Sequence, residues 1–377
     1  MSMVSLPGLK VLIETLSKEK NLPQQIVQGV LQEALLTGYE RYRRDKSLDA
    51  PNLPEDYFNN FQVQLDLKGE GFRILANKTV VETVTEPDHE VSLKKVLNTA
   101  KPVSLGARVI VDVTPQQGEF GRRVASQTKQ VLTQKLQEQQ CKFVQELFGD
   151  LKRSVISARV LRSERRGIIF GVSNGKDAME FEAELPNYER LPQDEYIPDA
   201  KFQVYLKKIA DTPRPGSLLR VSRASSHLVS GLLTNTVPAI QQGIIQIMGT
   251  VRDAIPNVVG VWPRSKIAVT TQEEGLDPVA VCIGEGGVYL QAVINELRGE
   301  KIEIIPWSED VSIYITNALI PAVVDKVVIV DAEQHIAQVF VPDDQLALAM
   351  GEDNQNLRLA SRLTGWTLEI KTKGNED

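Results

Sequence analysis

The chain has 377 residues, 42% hydrophobic and 24% charged, and carries a formal net charge of −6. These proportions describe a soluble globular protein of two to four domains. No uncharged apolar run reaches the roughly 18 residues of a membrane span. With only Cys141 and Cys282 there is no disulfide framework, so a cytoplasmic location is expected.

The first element is a helix. Leu9, Leu12, Ile13 and Leu16 follow the i, i+3, i+4, i+7 spacing of one apolar face. Pro23 suits the first turn of a second helix, whose stripe is Val27, Val30, Leu31, Ala34 and Leu35. Arg41, Arg43, Arg44 and Lys46 crowd its C-terminal end, where cations favour the helix dipole. "FQVQLDL", "GFRILA", "KTVVETV" and "ARVIVDVT" then read as separate short strands. A single long helix is predicted from about Arg122 to Phe148, with Gly149 as its stop.

Five strand-like stretches follow: "RSVISARVL", "GIIFGVS", "AMEFEAEL", "KFQVYLKKI" and "SLLRVSR". Five strands in so short a span predict a closed barrel of the OB type. The last part of the chain repeats itself. Gly284 and Gly351 are preceded by strands "KIAVTT" and "IAQVFVP" and followed by helical stretches and "GEKIEII" or "GWTLEIK". Each copy reads β, helix, glycine turn, helix, β. Further helices are expected in "TVPAIQQGIIQIMGTV" before the first copy and in "ALIPAVVDKVVI" before the second.

A glycine turn between helices lets backbone amides approach a sugar-phosphate chain, and the next helix presents its positive end. The KH module clamps single-stranded nucleic acid this way. The charge balance changes along the chain. Residues 150–228 hold 14 basic and 11 acidic side chains, residues 229–306 hold 5 and 8, and residues 307–377 hold 5 and 12. Phosphate attraction therefore points to the barrel. No catalytic constellation or cofactor motif is found: the histidines are scattered, and no HxxxH, GxSxG or GxxxxGK pattern occurs. The chain is read as a non-enzyme without cofactor or metal.

"LIETLSKEKNLPQQIVQGVLQEAL", "EFGRRVASQTKQV", "VSRASSHLVSGLLTNTVPAI", "SKIAVTTQEEGLDPVAVCIGEGG", "NELRGEKIEIIPW" and "NLRLASRLTGW" together resemble the NusA family of bacterial transcription elongation, termination and antitermination factors. The resemblance covers Leu6 to about Lys373. It implies an α+β multidomain fold: an N-terminal RNA-polymerase-binding domain with its long connecting helix (1–149), an OB-type, ribosomal S-one-like barrel (150–226), and two tandem type II KH domains (227–306 and 307–377). It further implies docking on the β-subunit flap near the RNA exit channel, contact with nascent single-stranded RNA, and effects on pausing, termination and antitermination. Other Nus-type elongation factors are further partners, no membrane is involved, and a monomer is expected. The chain stops at Asp377, so acidic helical repeats after the second KH module are not expected.

Two departures from the family pattern stand out. The turns, Gly284-Glu285-Gly286-Gly287 and Gly351-Glu352-Asp353-Asn354, are acidic where the family carries a basic residue. An acid about 6 Å from a phosphate, at an effective dielectric near 20, costs about 2–3 kcal/mol before screening. "RDAIPNVVGVWPRSKIAV" is also longer than the family's usual link into the first KH strand. The expected RNA contacts are the two turns (Gly284, Glu285, Gly286, Gly287, Gly351, Asn354), with Arg358 and Arg362 offsetting the acids of the second. Lys266, Arg298 and Lys301 serve the first. In the barrel, Arg159, Arg165, Arg166, Lys207, Arg220 and Arg223 supply charge and Tyr205 a stacking face. Lys10, Glu14, Lys18, Arg41, Arg43 and Arg44 are the expected polymerase contacts. The competing reading is a protein–protein scaffold, in which the acidic KH pair meets a basic partner and RNA is incidental.

Overall fold

A computed structural model describes residues 3–46, 56–96, 103–116, 122–175, 179–214, 216–258 and 260–372. The chain divides into two compact units, Met1–Glu146 with Ala210–Pro215, and Leu147–Ile209 with Gly216–Asp377.

In the first unit, strand β1 (Val4–Ser5) leads into helices α1 (Leu9–Lys20) and α2 (Gln24–Lys46). Asn21 ends α1 in the left-handed region, donating its N–H to Lys18. The helices lie on a sheet of β1, β2 (Phe61–Asp66), β3 (Gly71–Val81), β4 (Glu90–Ser92) and β5 (Arg108–Asp112), with the short helix α3 (Leu93–Val96) after β4. The stretches expected as two strands, "GFRILA" and "KTVVETV", form the single strand β3. Nothing in Ala76-Asn77-Lys78 breaks the chain, and Asn77 and Lys78 stay in the ladder opposite Ile110 and Val109. The expected stripe of α1 is narrower than four residues: Leu9 and Ile13 are buried, but Leu12 is 42% exposed. Leu9, Ile13, Val27, Leu31, Phe61 and Ile74 share one core, which Leu136 of α4 (Arg122–Phe148) joins. The long helix has the bounds expected of it. Within this unit its Gln145 donates to the Ala210 carbonyl at 2.8 Å.

The second unit begins with the end of α4, where Phe148 meets Phe181 edge-on at 5.5 Å between ring centroids. Strands β6 (Val155–Glu164), β7 (Gly167–Val172), β8 (Phe181–Pro186), β9 (Lys201–Ile209) and β10 (Leu219–Ser222) close a barrel in the order β10-β8-β7-β6-β9. Two α-β-β-α-α-β modules follow. The first comprises α5 (Ser226–Thr236), the one-turn α6 (Pro238–Gln241), β11 (Ile245–Asp253), β12 (Arg264–Thr271), α7 (Pro278–Ile283), α8 (Val288–Glu296) and β13 (Lys301–Pro306). The second comprises α9 (Val311–Ala318), β14 (Lys326–Asp331), β15 (Ile336–Val341), α10 (Leu346–Met350), α11 (Gln355–Thr364) and β16 (Thr367–Thr372). In each sheet the first two strands are antiparallel and the last pairs parallel to the middle one. That is the type II KH arrangement.

Two expected helices are strands. In "TVPAIQQGIIQIMGTV" only Thr236, the last residue of α5, and Pro238–Gln241 are helical. Gly243 turns the chain at φ 76°, and the β-branched run behind it becomes β11. In "ALIPAVVDKVVI" the helix is already over, since α9 stops at Ala318, ahead of Pro321, and "KVVIVD" is β14. The long "link" from Arg252 to Val269 holds the end of β11 and most of β12, which pair up to Asp253 and Arg264.

The barrel and both modules share packing. Leu191 and Tyr205 of the barrel lie in one core with Leu228, Val229 and Leu232 of α5. A Cβ on Gly231 would fall 2.4 Å from a Val155 methyl, so glycine is what lets α5 seat on β6. Ala268 and Ile305 of the first sheet share a core with Ile315, Leu319 and Ala360 of the second module.

Arg223 ties the barrel to the first module. Its side chain is fully buried. Nε and Nη2 donate to the two oxygens of Asp194 at 2.8 and 3.1 Å. Nη1 donates to the Gln203 carbonyl and to Glu296 Oε1, and Nη2 also donates to the Glu296 carbonyl. Phe202 lies under the guanidinium, 5.1 Å away. Replacing Asp194 with alanine strands that charge and is expected to cost about 3–5 kcal/mol, with asparagine costing less. Trp262, Trp307 and Trp366 all lie in the second unit. Denaturation followed by tryptophan emission therefore reads the loss directly, and an unchanged midpoint for Asp194→Ala contradicts it.

Candidate nucleic-acid interface

The two glycine turns have the same backbone path, built with different residues. In the first, Asp277 caps α7 by accepting from Val279 and Ala280. The Gly284 N–H donates to the Ala280 carbonyl at 3.0 Å and closes the helix. Gly284 stands at φ 80°, and a Cβ there would lie 2.6 Å from the Tyr289 ring. Gly286 and Gly287, at φ 63° and 80°, have open space where a Cβ would be. Their backbone is uncovered ahead of the N-terminus of α8.

In the second turn Gly351, at φ 70°, packs against Asn356. Asp353 and Asn354 then adopt the left-handed region at φ 48° and 55°. Glycine is thus replaced at two positions, and Arg358 supports the result. Its Nη1 donates to the Asp353 carbonyl at 2.8 Å, and its Nη2 to Asp253 at 2.9 Å. Asn356 is fully buried and its amide donates to the Leu319, Leu348 and Ala349 carbonyls.

Several expected RNA contacts are used inside the protein instead. Lys266 is fully buried, donating to Glu303 at 2.6 Å and to the Ile320 carbonyl at 2.7 Å. Tyr205 is 6% exposed and stacks on His227, so it offers no face to a base. Its alternation with Gln203 and Lys207 placed it outward, but α5 covers that side of the barrel. Arg223 is buried as described. Arg358 and Arg362 by contrast stay exposed, Arg358 hydrogen-bonded to Asp353 and Asp253 and Arg362 donating to the Arg252 carbonyl at 3.2 Å.

On the barrel surface, cations meet acids across the strands. Arg159 engages Glu180 and Asp199, Arg220 faces Glu184 at 3.6 Å, and Lys207 pairs with Glu189. Arg165 and Arg166, at the β6–β7 turn, are exposed and make no ion pair among the described residues. In the first unit Lys10, Lys18 and Arg41 are exposed and Glu14 is half-buried. Arg43 pairs with Asp88, and Arg44 lies over the Phe58 ring.

The structure brings Arg298 and Lys301, expected beside the first turn, to the second. Between the two modules lies a cleft of about 650 Å³, lined by Trp262, Arg298, Lys301, Leu348, Gly351 and Glu352 among others. Arg298 is exposed and makes no ion pair among the described residues. Lys301 is 57% exposed, 3.4 Å from Glu303. Sequence reasoning missed Trp262. It is 64% exposed, and the available signal was a tryptophan in the long "VVGVWPRS" connection.

An OB-type barrel followed by two KH modules with open glycine turns defines a protein of the single-stranded RNA-binding class. Residues 9–142 match the family described as NusA N-terminal domain, residues 223–307 the NusA-like first KH domain, and residues 311–377 the NusA-like second KH domain. The chain is 35% identical over 362 residues to the transcription termination/antitermination protein NusA of Bacillus subtilis (strain 168), covering 95% of this chain and 89% of that one. The protein of that name from Halalkalibacterium halodurans is 34% identical (96% and 87% covered), and that of Thermus thermophilus 33% identical (95% and 88% covered). The chain belongs to the NusA family.

Burial pushes the Lys266 ammonium down from 10.5 to about 8, with Glu303 opposing the shift. The unfolded chain holds that proton up to its ordinary value, while the folded chain releases it above about 8. Between those values the unfolded state binds more protons, and stability rises with pH. The stability of the wild type relative to Lys266→Met is therefore expected to rise from about pH 7.5 to about pH 10. Denaturant midpoints of both proteins test the sign, and a flat or falling difference refutes it.

Proposed function

We propose that this transcription elongation factor contacts RNA polymerase through residues 1–149, at the β-subunit flap beside the RNA exit channel, and that nascent single-stranded RNA runs over the barrel (150–226) and the two KH modules (227–306 and 307–377). The observation that carries the RNA reading is the pair of glycine turns. Each lies ahead of a helix N-terminus, and in the first no side chain shields Gly286 or Gly287. Family membership supports the polymerase reading and the roles in pausing, termination and antitermination. It also makes other Nus-type factors candidate partners. No helix among the described residues is long and apolar enough to cross a membrane, and we place the protein in the cytoplasm.

Affinity for free RNA is weak in this reading. Arg159, Lys207, Arg220 and Arg223 of the barrel are each paired with acids, and both turns carry acids. Tethering to polymerase offsets this by raising the effective RNA concentration. Of the expected barrel contacts, Arg165 and Arg166 remain exposed with no ion pair among the described residues. Charge reversal of both in the full chain is expected to weaken RNA binding and to lower the salt slope by about 1.4, near 0.7 per lost phosphate contact on a single strand. Equal binding over a salt series removes the barrel from the RNA path.

On the polymerase side, Lys10, Lys18 and Arg41 are among the exposed cations of the first unit that make no ion pair among the described residues. Reversing all three is expected to reduce capture of RNA polymerase by the immobilised chain at least severalfold while its thermal midpoint stays unchanged. Undiminished capture places the contact elsewhere.

A further inference from the structure

We infer that the cleft between the KH modules holds one unstacked base of the RNA against Trp262, with Glu352 reading an amino group on that base. The inference rests on the RNA-binding reading above and names what the second glycine turn recognises.

Trp262 is held in place while its ring is left bare. Its carbonyl accepts from Gln355 Nε2 at 3.0 Å, and Gln355 is itself buried at the start of α11. The flanking chain is fixed by the β11–β12 pairing at Asp253 and Arg264. Yet the residue is 64% exposed, and it lines the cleft with Arg298, Lys301 and Glu352. A bare indole beside exposed cations is the combination that binds single strands: the ring stacks on a base and the cations meet the backbone.

Charge sets the direction. Glu352 stands in the turn where a phosphate would otherwise sit, and repels it. Arg298 and Lys301 line the same cleft from the first module, so the phosphate belongs on their side and the base on the side of the turn. A carboxylate facing a base can only accept hydrogen bonds. It therefore favours bases that carry an exocyclic amino group, as when a glutamate accepts from cytosine N4. Uracil has no such group and offers the carboxylate only its ring N3–H. The acid that weakens phosphate binding at this turn becomes a base-selecting group.

The test uses the full chain with fluorescein-labelled (rC)12 and (rU)12, and follows anisotropy and tryptophan emission together. The wild type is expected to bind (rC)12 at least about threefold more tightly than (rU)12, and RNA is expected to quench its emission. Trp262→Ala lowers binding of both RNAs by about tenfold, whereas Trp262→Phe retains most of the affinity and loses the quench. Glu352→Gln, which can donate as well as accept, erases the preference for cytosine. Wild-type affinity in Trp262→Ala overturns the stacking role. A preference unchanged in Glu352→Gln, or absent from the wild type, overturns the reading of the amino group. If the wild type binds neither RNA even at low salt and high protein concentration, the RNA-binding reading itself fails, and the cleft inference with it.

Discussion

The second unit depends on one buried cation. Arg223 sits at the end of β10, where the barrel gives way to α5, and each of its five N–H groups has an acceptor. Taking a guanidinium out of water costs several kcal/mol unless it is fully paired. Here the pairing comes from both sides, Asp194 and Gln203 from the barrel, Glu296 from the first KH module. Neither side alone satisfies the charge, so barrel and module must be folded together for either to be favourable.

The same device continues into the KH pair. Arg252 donates through Nη1 to the carbonyls of Arg223 and Ser225, and forks onto Glu300, which also accepts from Ser265. The Arg252 carbonyl in turn accepts from Arg362 of the second module. Lys266 and Arg264 converge on Glu303 at the boundary with the second module. These residues use their charge to join domains, which leaves less of it to attract RNA. Net charge by segment therefore overstated how basic the barrel's outer surface is.

The long helix, the five-stranded barrel and the tandem glycine turns were legible because each rests on local rules: helix formers without a breaker, alternation between turns, and glycine where φ is positive. The strands β11 and β14 were not. Their apolar runs fit a buried helix as well as a strand, and pairing with β12 and β15 decided between them. Site residues were less legible still. Alternation shows which side of a strand Tyr205 occupies, but not that α5 lies on that side. Lys266 likewise carries no sequence mark of the second module packed over it. Trp262 escaped for the opposite reason: it lies in a connection whose value depends on the neighbouring module's turn.

The two glycine turns also differ in stiffness. The first passes through positive φ with glycines alone, at Gly284, Gly286 and Gly287, whereas the second uses Asp353 and Asn354 for the same path. Side chains narrow the conformations a free backbone can visit, so the second turn has less entropy to lose when a ligand orders it. In the proposed RNA reading, a ligand that touched both turns would meet one compliant backbone and one already set.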